Sequence, residues 1–449
     1  MKRNAPMLIN CLLVLLLWAS PSGILAQEYS LDDLYRTALQ TAEKIKISEE
    51  NIQIAEAGKS KALSYLLPRL TTFASFTNYS EAKYSAASII TMPGVGNISF
   101  PGTLIQPQAA GAWGIRLDEN LSLGGREFTS FQISKENLEK NRLDAYTVNE
   151  DYLLAVAFAY YNVLKAEKNL DIADANVERL STYRAAADKR LRVGEVTRTV
   201  LLRAEAELSG ALSDRMMAKN SLELAMVQLK RIVGLKDDVQ LKKETPASRD
   251  VAPVDTFLTM ALTERSDLKG LEIQKKMAER QVRYASGAHW PSLSVSGVYS
   301  GLDQSPAAGT INREGIYAGV ALNFPIFEGG LRQAEVKEAR SKEKQSGFLY
   351  DDLKKTIEIE VQAAYLDLMT QKATLKFLDD QLVFAKDNYQ AVSRQFEFGL
   401  AQSVDVMDAN TLLVTAERKI SDAGYNYQMA VMRMKKATGV LLKEILAKN

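Results

Sequence analysis

The chain has 449 residues, 46% apolar and 25% charged, the balance of a folded protein with ample core. Its 56 basic and 55 acidic side chains nearly cancel, so net charge gives no case for a nucleic-acid partner. One histidine, His289, and one cysteine, Cys11, leave little for metal or nucleophile chemistry, and no catalytic residue, metal or cofactor is expected.

Lys2 and Arg3, an apolar run from Leu8 to Trp18, and the small-residue approach to Ala26 predict a signal peptide over 1–26. A membrane anchor fits less well, because the run is short and Ser20, Pro21 and Gly23 follow it. Cys11 lies inside that run and no cysteine stands at the cleavage point, so no lipid anchor or disulfide is expected. A helix is predicted from Leu31 to Leu67, ended by Pro68, with a strand at about 69–79. Residues 84–115 carry no charge, but Pro93, Gly94, Gly96, Pro101, Gly102, Pro107, Gly111 and Gly114 interrupt them. That predicts a loop and then a strand, not a membrane helix. In the strand, at about 112–123, Trp113, Ile115, Leu117, Leu121 and Leu123 face one way, and Gly114, Arg116, Asp118 and Ser122 the other.

Gly124-Gly125 then break the strand, and a helix runs from about Arg126 to Arg192, roughly 100 Å at 1.5 Å per residue. Ala166, Ala173, Leu180 and Ala187, with Leu170, Val177 and Leu191, follow a heptad broken at Arg184, which favours coiled-coil packing. A turn at Gly194 reverses the chain into a helix of about 40 residues ending near Gly234. Residues 236–254, with Pro246 and Pro253, form a link.

The same grammar then returns. A helix from Phe257 to Ala288 ends at Pro291; strands follow at about 292–300 and 316–326; Gly329-Gly330 open a long helix from Leu331 to Phe398; a turn at Gly399 leads to a last long helix. An offset of 205 places Gly124-Gly125 on Gly329-Gly330, Val156 on Val361, Tyr160 on Tyr365, Gly194 on Gly399 and Gly234 on Gly439. Upstream the offset is 223, with Ala38-Leu39 on Ala261-Leu262 and Pro68 on Pro291, so the first copy has the longer loop. The expectation is an internal duplication, residues 27–245 and 246–449.

Each strand is about as long as a bilayer-crossing strand, with one apolar and one polar face. Four strands cannot close a barrel and lipid tolerates no open edge, so assembly to 8 or 12 strands is expected. A small soluble sheet covered by helices is the plainer alternative.

The order helix, proline, strand, loop, strand, "FPIFEGGLRQAEV", long helix, glycine turn, "VDVMDA", helix, written twice, resembles the TolC-like outer-membrane efflux family over essentially the whole mature chain. The resemblance implies an α+β membrane protein with a long α-helical coiled-coil tunnel in the periplasm. It implies a homotrimer that shares a 12-stranded transmembrane β-barrel in outer-membrane lipid. It further implies an exit duct of a tripartite efflux or type I secretion system, opened by docking to a periplasmic adaptor (membrane fusion) protein and an inner-membrane transporter. The competing reading is a secreted coiled-coil scaffold or adaptor that forms no pore; it would carry a single hairpin.

Asp405 and Asp408, in "VDVMDA", share a helix face just after the Gly399 turn. No acid–base partner or further oxygen ligand stands nearby in sequence, so catalysis and a single-chain metal clip are set aside. Ser403 suits an N-cap, and Asp405 in the first turn suits the helix dipole. The resemblance implies more: the matching aspartates line the periplasmic entrance as acidic rings, the usual device for cation preference. The polar gate residues of the best-described family members correspond here to Phe396, Ala401 and Val200, and none keeps the polar group. Asp405, Asp408 and Phe396 are therefore the expected constriction. The turn after the first long helix carries Arg190, Arg192, Arg198 and Arg203, so Arg192 or Arg198 with Glu397 forms a candidate latch. The exposed turns Val193-Gly194-Glu195 and Phe398-Gly399-Leu400 are the expected adaptor contact. The cargo is not legible.

Overall fold

The computed structural model describes residues 28–236, 239–243, 251–307 and 313–447. The predicted signal peptide and the boundary near 245 lie outside these residues. The elements of the first half are β1 (Glu28–Tyr29), α1 (Leu31–Thr41), α2 (Glu43–Ser64), β2 (Arg69–Asn78), β3 (Lys83–Tyr84), β4 (Ser88–Met92), β5 (Gly96–Phe100), β6 (Leu104–Gln106), β7 (Ala109–Ser122), α3 (Arg126–Arg192) and α4 (Arg198–Val233). Those of the second half are β8 (Gln240–Leu241), α5 (Val254–Glu264), α6 (Ser266–Gly287), β9 (Ser292–Ser305), β10 (Glu314–Asn323), α7 (Leu331–Glu397), α8 (Ser403–Ala437) and α9 (Leu441–Ala447). The helix lengths repeat: 11, 22, 67 and 36 residues in the first half, and 11, 22, 67 and 35 in the second.

The chain divides into two compact units. One comprises residues 47–148 and 265–358 and holds an antiparallel sheet in the order β10-β9-β7-β2. Its register puts Leu70, Trp113, Ile115, Leu117, Leu293, Val295, Tyr299, Ile316, Val320 and Leu322 on one face. Arg69, Thr71, Ser75, Arg116, Asp118, Asn120, Ser292, Ser294, Ser296 and Ser300 take the other. Trp113 meets Tyr299 edge-on at 5.7 Å. The apolar face is largely exposed, and among the described residues β2 and β10 are paired on one side only. β7 and β9 run to 14 residues each, longer than predicted, while β10 stops at Asn323, two residues before Pro325.

The stretch predicted as a loop before β7 is more ordered than its glycines and prolines suggest. β3 pairs with β6, and β4 with β5, continuing the β2–β7 ladder outward as a two-stranded ribbon. The β-branched runs "SIITM" and "NISF" supply strands between the punctuating residues.

The other unit comprises residues 28–46, 149–264 and 359–447. Its core is set by Leu34, Ile45, Leu153, Val156, Tyr160, Val163, Leu229, Val233, Val361 and Leu441, all nearly inaccessible. Tyr160 donates to the Lys242 carbonyl at 2.5 Å, tying α3 to the strand of the link, where β8 runs parallel to β1. The predicted single helix over 31–67 is interrupted at Ala42, whose backbone is extended, and the one over 257–288 at Arg265. Neither break has a proline or glycine. At the second, the buried Arg265 guanidinium takes both oxygens of Asp267, 3.0 and 2.6 Å away, and Asp267 also accepts from the Leu268 amide. That side-chain chelate holds an extended residue between two helices, which local propensity alone does not encode. Among the described residues no helix is long and apolar enough to cross a membrane.

Tyr160 separates two kinds of stabilisation. Tyr160→Phe removes one hydrogen bond, worth about 1 kcal/mol, whereas Tyr160→Ala also opens a cavity and costs about 3–5 kcal/mol. Thermal unfolding in detergent is expected to fall slightly for the first and by many degrees for the second.

Candidate functional site

The two helix-to-helix turns are built alike. At the end of α3, the Gly194 amide donates to Leu191 and the Glu195 amide to Arg190, at 3.0 and 2.9 Å. At the end of α7, the Gly399 amide donates to Phe396 and the Leu400 amide to Gln395, at 3.0 and 2.8 Å. This paired bonding needs a left-handed residue, and φ is +82° at Gly194 and +73° at Gly399. The glycines therefore have a structural duty whatever the turns contact. Val193, Phe398 and Leu400 beside them are highly exposed.

The two hairpins α3–α4 and α7–α8 are joined behind these tips by one apolar cluster. It contains Leu180, Tyr183, Ala187, Ala204, Ala211, Phe396, Val406 and Met407. Tyr183 and Phe396 lie 5.1 Å apart between ring centroids. Phe396 is only 5% exposed, so it faces the chain's own packing rather than the outward side that carries Asp405 and Asp408. α8 thus has two characters: Val406, Met407, Ala409 and Asn410 turn inward, while Asp405 and Asp408, three residues apart, are exposed together. Asp405 accepts from the Gln402 amide at 2.8 Å. Gln402, not Ser403, is the N-cap residue. The Ser403 hydroxyl instead accepts from Tyr183 at 2.6 Å. Burial holds the Tyr183 phenol above its ordinary pKa, against the opposing pull of the Ser403 hydrogen bond, so it stays protonated and able to donate.

The cross-hairpin bond at the tips is made by Arg190. Its Nη1 donates to the Phe396 carbonyl at 2.9 Å, its Nε to Glu195 at 3.0 Å, and its guanidinium lies 4.7 Å from the Phe396 ring centroid. The Phe396 carbonyl is among the last of α7, so a cation from α3 caps the negative end of that helix. Arg192, singled out from sequence, pairs with Asp188 on its own helix at 2.7 Å, and its side chain is 76% exposed. Arg198 opens α4 and Glu397 ends α7, both exposed. The sequence signal that could have selected Arg190 is the 3-4 spacing Leu180, Tyr183, Ala187, Arg190, one residue off the predicted series through Arg184 and Leu191.

Further along, Asn176 and Asn410 bond at 2.8 Å, and Arg179 takes Glu417 at 3.3 and 3.0 Å. Asn176 lies seven residues before Tyr183, and Asn410 seven after Ser403, so α3 and α8 meet antiparallel in heptad register. Arg184, which breaks the predicted heptad, reaches Glu205 of α4 at 2.9 Å.

Similarity to known proteins agrees with this architecture. The family described as "Outer membrane efflux protein" matches residues 34–235 and 257–440. The outer membrane protein TolC of Escherichia coli (strain K12) is 25% identical over 454 residues, 98% of this chain and 88% of the relative. The alkaline protease secretion protein AprF of Pseudomonas aeruginosa is 24% identical over 307 residues, 65% of this chain and 62% of the relative. Among solved structures, the Campylobacter jejuni CmeC outer membrane channel superposes with a TM-score of 0.78 at 18% identity, over 92% of this chain and 86% of that one. At that identity the likeness is one of fold.

Arg190→Ala is expected to free the tips. Spin labels at positions 193 and 400 should show a longer and broader distance distribution, restored only in part by Arg190→Lys, which keeps charge but loses the fork. Arg192→Ala should leave the distribution unchanged, because an exposed pair on one helix contributes about 0–1 kcal/mol.

Proposed function

We propose that this chain, which belongs to the outer membrane efflux protein family, is the outer-membrane exit duct of an efflux or type I secretion assembly, and that it works as a homotrimer with a shared 12-stranded barrel. The observation that carries the reading is the sheet. Its four strands share one mostly apolar face, interrupted by Glu119 on β7, and its outer strands β2 and β10 have no further partner among the described residues. In hydrocarbon each unpaired backbone group costs several kcal/mol, so the edges must meet those of other copies. The two hairpins, β2–β7 and β9–β10, also speak against a scaffold with one. The helices support assembly as well: Leu202, Leu212, Met216, Leu224 and Val227 of α4, and Ile359, Leu366, Phe377 and Phe384 of α7, are apolar and exposed. Such stripes call for a neighbouring copy. The repeated helix lengths support an ancestral duplication with halves meeting near residue 245.

In this reading the paired turns form the periplasmic end. Asp405 and Asp408 from three chains make two acidic rings that concentrate cations. Arg190 and Tyr183, backed by Phe396, hold the second hairpin against the first, and Arg192, Arg198 and Glu397 act as surrounding charge. The exposed Val193, Phe398 and Leu400 present an apolar tip to an adaptor protein, which couples the duct to an inner-membrane transporter.

Light scattering of the detergent-solubilised protein is expected to give three chains; a stable membrane-inserted monomer overturns the reading. Asp405→Asn with Asp408→Asn is expected to reduce cation preference in planar-bilayer recordings; unaltered selectivity leaves these residues as helix-end groups. Leu400→Asp is expected to reduce adaptor crosslinking with folding intact. It is a cleaner probe than a change at Glu195, whose carboxylate holds Arg190.

A further inference from the structure

The ribbon between β2 and β7 has no counterpart of equal length in the second half, where eight residues, 306 to 313, join β9 to β10. It is also chemically unusual. From Tyr84 to Gln108 it contains no charged side chain. Its outer hairpin is two-faced. The register of β4 on β5 puts Ile90, Met92, Ile98 and Phe100 on one side, and Thr91, Asn97 and Ser99, with Ile89, on the other. Thr91 donates to the Asn97 side chain at 2.7 Å, so the polar side is partly self-satisfied. On the apolar side Ile90, Met92 and Phe100 are each nearly half exposed (48, 45 and 46%). A lone two-stranded hairpin is marginal in water, and one that leaves this face wet is more so.

We propose that this apolar hairpin face is covered by the same hairpin of the sister subunits, and that three ribbons together form a lid over the outer mouth of the duct. The inference rests on the trimeric reading above. Three features choose this occupant. First, the ribbon rises from β2 and β7, and β2 is the outermost strand on that side of the sheet, so the ribbon starts beside the edge where a neighbouring subunit would pair. Second, it is long enough. Twelve strands about 4.8 Å apart and tilted about 40° enclose a radius of about 12 Å, whereas the stretch from Lys83 to Met92 spans up to about 30 Å. Third, its near lack of charge disfavours the lipid surface: a ribbon lying on anionic headgroups gains from Lys and Arg, and beyond Lys83 at its base it has neither. Three-fold symmetry then brings three copies of one apolar face around one axis.

The mature chain is expected to lack cysteine, which makes Val95, at the exposed hairpin tip, a clean site for a single thiol. Val95→Cys trimers, diluted in detergent and treated with a bis-maleimide, are expected to give covalent dimers and trimers on denaturing gels. Ile90→Asp with Ile98→Asp in that background is expected to abolish these bands and raise conductance in planar bilayers, with the trimer intact by light scattering. An intact trimer without covalent bands overturns the lid alone. Bands above the trimer that appear only in crowded membranes, without intratrimer products, assign the face to contacts between ducts and also overturn it. Absence of a trimer overturns the assembly reading and this inference together.

Discussion

The constraint on which the rest depends is that a β-strand in hydrocarbon has no water to complete its backbone hydrogen bonds. This chain contributes four strands, with the inner two, β7 and β9, paired on both sides and the outer two on one. Among the described residues this sheet is open at both edges. Its apolar face has no protein layer of its own, because the helices of the same unit leave Ile316, Val320, Leu322 and Leu117 exposed. Sheet edges and helical stripes are thus two independent features that bear on the proposed assembly.

The contact between the two helical hairpins has a different basis. The seam between the hairpins combines apolar packing around Phe396 with a few polar contacts at heptad spacing, Tyr183 to Ser403 and Asn176 to Asn410. Polar pairs in such a seam fix register more than they add stability. Arg190 and the Arg179–Glu417 pair differ in being charge-assisted. A charge-assisted bond to a helix-terminal carbonyl contributes about 1.5–3 kcal/mol. A partner that prefers separated tips by about 100-fold, near 2.8 kcal/mol, offsets it. The bond is therefore comparable in size to a modest difference in binding affinity.

The two halves are matched in helix length but not in chemistry. The first carries the uncharged ribbon and an arginine-rich turn; the second carries the exposed carboxylates. The electrostatic difference between the two turns, basic in the first half and acidic in the second, favours their contact.

Periodicity alone located the four strands, the two long helices and the glycine turns, because each is dictated within its own segment: alternation for a half-wet strand, heptads for a helical seam, a left-handed glycine for a helix end. The exposed position of Asp405 and Asp408 was legible for the same reason, since their helix phase opposes Val406 and Met407. What tertiary structure alone decided are the contacts between segments far apart in the chain. Several arginines crowd one turn, and only the packing of Phe396 against Tyr183 brings the α7 terminus to Arg190 and leaves Arg192 on its own helix. Ser403 had the chemistry of an N-cap, yet its hydroxyl meets Tyr183, 220 residues away, and the capping position falls to Gln402. Hydrogen-bonding groups have several possible partners of similar energy, and long-range packing selects among them.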